Sequence, residues 1–103
     1  MRKGIYRDRY DRLRASTDVF PSVLADFLEA DVRDNHDWCE ELLNGPNEAG
    51  GGRMFEAYGN LYQLRAGPDG ALLHNGSDDR RAPLKLAVAD LRRALTAWRR
   101  AIG

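Results

Sequence analysis

The chain has a single cysteine, Cys39, so no disulfide can form within it. That suits a reducing compartment. Lysine is nearly absent, with only Lys3 and Lys85, and most basic charge is arginine. No stretch approaches the roughly 20 apolar residues of a membrane-spanning helix. The basic start, Met1 to Asp8, has no apolar run behind it and does not read as a secretory signal. These absences predict a soluble, cytoplasmic protein.

Catalytic motifs are missing too. There is no Gly-x-Ser-x-Gly elbow and no phosphate loop; Gly50-Gly51-Gly52 lacks the Lys-Ser/Thr that would follow and reads as a flexible loop. His36 and Cys39 form an H-x-x-C on one helical face, but a structural zinc site needs about four ligands. The only other histidine is His74. A half-buried cysteine beside a surface histidine is expected, with no metal, cofactor, small-molecule substrate or enzymatic activity. Asn75-Gly76-Ser77 matches a glycosylation acceptor that an intracellular chain would not use.

What is present suits one small domain. Of 103 residues, 43% are hydrophobic and 31% charged, which argues against wholesale disorder. Formal net charge is zero, but the signs are segregated. Residues 1–14 are basic, 15–48 strongly acidic, 49–79 mildly acidic and 80–103 basic. Such blocks make a dipolar surface unless they pack together and cancel.

Residues 1–16 read as a lead-in with a short helix or strand; Ile5, Tyr6, Tyr10 and Leu13 are its apolar positions, and the spacing 6, 10, 13 suits one helical face. Ser16-Thr17-Asp18 offers N-caps and Pro21 suits a first turn. Phe20, Leu24, Phe27, Leu28, Val32, Cys39, Leu42 and Leu43 then predict one amphipathic helix over 19–43. Asn44-Gly45-Pro46 should end it. Over 53–75 the period becomes two. Gly59-Asn60 and Gly67-Pro68-Asp69-Gly70 mark turns, so a three-stranded antiparallel meander is expected. Asn75 to Asp79 is a polar loop. Leu84, Val88, Leu91, Leu95, Trp98 and Ile102 step by four and three, predicting a helix over 84–102. The expected fold is α+β: a three-stranded meander packed against an N-terminal acidic helix and a C-terminal amphipathic helix.

The acidic helix is the suggestive surface. Asp26, Glu29, Asp31, Asp34, Asp37, Glu40 and Glu41 face one arginine, Arg33, within residues 26–41. A solvated helix face is the plain reading. The functional one is a negative surface for a basic protein partner, where charge complementarity speeds encounter and selects the partner. The alternative is a nucleic-acid-associated regulator. It would use Arg80, Arg81, Lys85, Arg92, Arg93, Arg99 and Arg100 on a basic C-terminal helix. Against direct nucleic-acid binding stand a sequence pI near 6.7 and a Trp98 on the apolar stripe.

Tyr58-Gly59-Asn60-Leu61-Tyr62-Gln63-Leu64, Pro68-Asp69-Gly70 and the closing Ala97-Trp98-Arg99-Arg100-Ala101-Ile102 follow an acidic helix that runs into Asp37-Trp38-Cys39-Glu40-Glu41-Leu42-Leu43-Asn44-Gly45. This order of elements, over roughly 20–102, resembles small bacterial immunity proteins of contact-dependent growth inhibition and related polymorphic toxin systems. The resemblance implies an α+β protein that binds a cognate toxin domain in the cytoplasm and blocks its active site. The acidic helix, and not a position-by-position match, assigns the contact with a nuclease toxin to Asp26, Glu29, Asp34, Asp37, Glu40 and Glu41. The arginine-rich last helix departs from the acidic character usual in nuclease inhibitors.

Overall fold

Residues 5–15 alternate instead of following a helical period. The computed structural model describes residues 4–48, 54–77, 80 and 82–102. In it β1 (Ile5–Arg7) pairs antiparallel with β2 (Leu13–Ala15), Ile5 opposite Ala15 and Arg7 opposite Leu13. Ile5, Leu13 and Ala15 pack on the core, while Tyr6 and Tyr10 stay exposed. The 6, 10, 13 spacing is therefore not a helical face. The loop between the strands closes on Asp8, whose Oδ1 accepts the amides of Tyr10 (2.8 Å) and Arg12 (3.0 Å).

The single helix expected over 19–43 is two helices with a break. Ser16 caps a turn and not the helix: its carbonyl accepts the amides of Val19 and Phe20. Helix α1 (Ser22–Phe27) starts after Pro21 with no side-chain cap. It widens into a π-helical segment, Leu28–Val32. There the Arg33 amide bonds back five residues to the Leu28 carbonyl at 2.8 Å. Arg33 then leaves at φ 52°, ψ −133°, a region that disfavours any side chain. Asn35 restarts the helix by accepting the Trp38 amide on Oδ1 (3.1 Å). Helix α2 (His36–Glu48) runs through Asn44-Gly45-Pro46, not ending there. The Phe55 ring lies against Gly45, where a β-carbon would collide with it, so that glycine serves packing and not a cap. The loop expected at Gly50-Gly51-Gly52 lies outside the described residues.

The meander has four strands, not three: β3 (Phe55–Tyr58), β4 (Tyr62–Gly67), β5 (Gly70–Asn75) and β6 (Leu84–Leu86), in that order. Both expected turns are present, at 59–61 and at Pro68-Asp69. Leu84 and Leu86 pair with Leu73 and Ala71, so the last helix α3 (Val88–Ile102) begins four residues later than its periodicity suggested. Leu84-Lys85-Leu86 also fits period two, and pairing with β5 decides between the readings. The described residues thus form an α+β domain of six strands in two sheets with three α-helices.

One sheet face turns inward with Leu64, Ala66, Ala71 and Leu73 against the helices. The opposite parity, Glu56, Tyr58, Gln63, Arg65, Leu72, His74 and Lys85, forms the outer face. Helices α2 and α3 lie antiparallel. Cys39 Sγ meets the Leu95 carbonyl (3.5 Å), and Arg92 donates to the Leu43 carbonyl (3.2 Å). Phe27 sits at the centre, edge-on to Trp38 (6.0 Å) and Tyr62 (5.8 Å). Trp98, fully buried on α3, donates its indole N–H to the Arg33 carbonyl at 2.6 Å. No described helix is long and apolar enough to cross a membrane.

Candidate interaction surfaces

The carboxylates of 26–41 do not form one surface. Asp26, half-buried on α1, accepts the Tyr62 hydroxyl at 2.5 Å. Glu29 accepts the Ala15 amide (2.9 Å) and pairs with Arg14 (2.8 Å), fastening the N-terminal hairpin to the helical layer. Asp31 is only 8% exposed and receives the amides of Leu61 and Tyr62. Glu40 pairs with Arg99 across the α2–α3 seam, and His36 stands 3.9 Å away. These four act inside the fold. Asp34, Asp37 and Glu41 remain exposed. Asp37 and Glu41 are one turn apart on α2, and Asp34 lies in the break before that helix. Of the six residues expected to meet a partner, these three stay exposed. The fold commits Asp26, Glu29 and Glu40 to intramolecular bonds.

The final helix is not a free basic stripe either. Arg92 is bonded to Leu43, Arg93 to Asp90 (3.1 Å) and Arg99 to Glu40. Arg100 is exposed. Exposed cationic surface gathers instead on the hairpin. Tyr10, 69% exposed, has the guanidinium carbons of Arg9 and Arg12 at 5.4 and 6.0 Å from its ring.

Between hairpin and helical break lies a groove of about 570 Å³. Arg7, Arg12 and Arg14 line one side; Glu29, Arg33 and Asp34 line the other. Arg7 pairs with Asp11 (3.8 Å), and Arg14 pairs with Glu29. A shallower depression of about 210 Å³ lies on the outer sheet face among Gln63, Arg65, Leu72 and His74. Sequence reasoning missed the first groove because residues 7–14 and 29–34 share no periodic signal. The packing of the hairpin on the helical layer, fastened by Glu29 to Ala15 and Arg14, brings them together.

The H-x-x-C pair does not converge. Cys39 is fully buried, and burial pushes its thiol up to about 11. His36 is half-exposed between Asp37 and Glu40. His74 lies on the outer face of β5. No group of three metal-ligating side chains occurs among the described residues. On the sheet, Tyr58 donates to Glu56 (2.8 Å); that bond and the carboxylate's charge raise the phenol's pKa.

No family model, curated protein or solved structure matches this chain.

Proposed function

We propose that this chain is an immunity-type binding protein, which occupies a cognate bacterial toxin domain in the cytoplasm and performs no chemistry of its own. The observation that carries the reading is the exposure of Asp34, Asp37 and Glu41, the last two one helical turn apart on α2. Like charges one helical turn apart are mutually destabilising by a few tenths of a kcal/mol. The fold engages Asp26 and Asp31 in hydrogen bonds and Glu29 and Glu40 in ion pairs, yet leaves these three facing solvent. A basic partner relieves that repulsion. An exposed rim of one sign acts chiefly on association rate.

The test is co-expression with the toxin encoded next to the gene, followed by binding kinetics. Protection from toxicity is the expected result. Asp34→Asn with Asp37→Asn and Glu41→Gln should slow association by about tenfold at low salt, with a smaller change in dissociation. Undiminished toxicity in the presence of the wild-type chain would end this reading.

A further inference from the structure

The groove between hairpin and helical break is lined by two guanidinium groups that make no close ion pair within the fold. Arg7 and Arg14 are paired with Asp11 and Glu29. Among the described residues no carboxylate lies within ion-pair distance of Arg12 or Arg33, although Arg12 stands beside the Tyr10 ring and within reach of the charge on Asp8. Arg12 comes from the hairpin loop, whose backbone is pinned by Asp8. Arg33 has its Nε tied to the Ala30 carbonyl (2.9 Å), which leaves the two terminal nitrogens to the groove it lines.

The backbone at Arg33 adds a second observation. At φ 52°, ψ −133° glycine is the inexpensive choice. The conformation is enforced on both sides, by the amide bond to Leu28 and by the Trp98 indole on the carbonyl. An arginine held there costs stability that a glycine would not. Its side chain is the only part of the residue that a glycine could not supply.

We infer that this groove binds a phosphoryl group, with Arg12 and Arg33 as its two forks. One guanidinium saturates a carboxylate through a bidentate pair. Two forks from separate elements suit an anion with three accepting oxygens. The groove falls within the range of small-ligand sites, roughly 300–1,000 Å³, so it holds more than the phosphate. Exposed Asp34 on its wall accepts from hydroxyl groups. The ligand class is therefore a phosphate ester of a polyol, such as a sugar phosphate or nucleotide. This site shares Asp34 with the residues assigned to the toxin, but its two arginines take no part in that reading.

The experiment is calorimetric titration of the full chain at constant ionic strength with inorganic phosphate, AMP and the oligonucleotide rA10. Saturable binding is expected, with AMP tighter than phosphate. Arg12→Gln and Arg33→Gly should each weaken AMP by about tenfold or more. Arg93→Gln, paired with Asp90 away from the groove, should leave it unchanged. Arg33→Gly should also raise the thermal midpoint, so its lost affinity does not reflect unfolding. Equal affinity for AMP and rA10 supports a site for a free ester. Tighter, steeply salt-dependent binding of rA10 supports the same site reading a strand's phosphates. No saturable binding to any of the three, or AMP affinity unchanged in both arginine variants, overturns the inference.

Discussion

Asp31 is the residue on which the join between helices and sheet depends. Its carboxylate takes the amides of Leu61 and Tyr62 at the start of β4, replacing the strand partner those amides lack. Gly59 must stay bare beside it, because a β-carbon there collides with the same carboxylate. Asp31→Ala leaves buried donors unpaired and should cost about 3 kcal/mol in urea denaturation. Gly59→Ala should fail in the same direction. Cys39 behaves differently. Buried against Leu95, its thiol ionises only near 11, against an ordinary value of 9.0. The folded state thus holds this proton more tightly than the unfolded one. Its contribution to stability is complete below about pH 9 and lost as pH rises towards 11. Thiol reagents at neutral pH should label the native protein far more slowly than the denatured one. Asp8 has the opposite sign. The Arg12 amide, foremost among several donors and charges, lowers its pKa. The hairpin loop is therefore held at neutral pH and loosens as acid protonates that carboxyl, a change that the amide shifts of Tyr10 and Arg12 would report.

Among the elements, α2 owes its start to Asn35 and its position to α3. Asn35→Ala should remove about 1 kcal/mol by freeing the Trp38 amide. Across the seam, the Glu40–Arg99 pair is partly exposed, so a double-mutant cycle should give a coupling of only about 0.5 kcal/mol. The apolar positions of α1, α2 and α3 were legible because packing on one face imposes a helical period. The break was half-legible: Arg33-Asp34-Asn35-His36-Asp37 is a polar gap in the stripe between Val32 and Cys39. Periodicity counted across it because apolar faces on both sides point to the same core. The π-helical turn itself has no sequence signature, since it exists to turn Asp31 inward, and its acceptors' partners lie thirty residues away. Leu84 shows the same limit. It satisfies a helical step to Val88 and an alternating step to Leu86, and only the β5 neighbour selects the strand.

At the scale of the molecule, segregated charge turns out to be stitched together more than displayed. Arg14 meets Glu29, Arg99 meets Glu40, and charges of both signs stay open, among them Asp34, Asp37 and Glu41, Arg9 on the hairpin, and Arg12 and Arg33 at the groove. Composition announced the charge blocks but could not tell which members cancel, because pairing depends on which elements touch. The hairpin shows what this means for dynamics. Two strands of three residues are not stable alone. This pair is retained by Ile5, Leu13 and Ala15 on the core, by Arg7 reaching the Ala101 carbonyl (3.5 Å), and by Glu29 on the Ala15 amide. Glu29 supplies the polar link to the helical layer and also compensates Arg14, so removing it strikes both. Glu29→Ala should therefore unlock the hairpin as a unit. Hydrogen exchange should accelerate across residues 5–15, while β4 and β5, paired on both sides, keep their protection. Because Arg12 travels with the hairpin and Arg33 stays with the helices, the same variant should also weaken any anion that bridges them. Uniform loss of protection through the meander would instead mean that the hairpin is an integral part of the core.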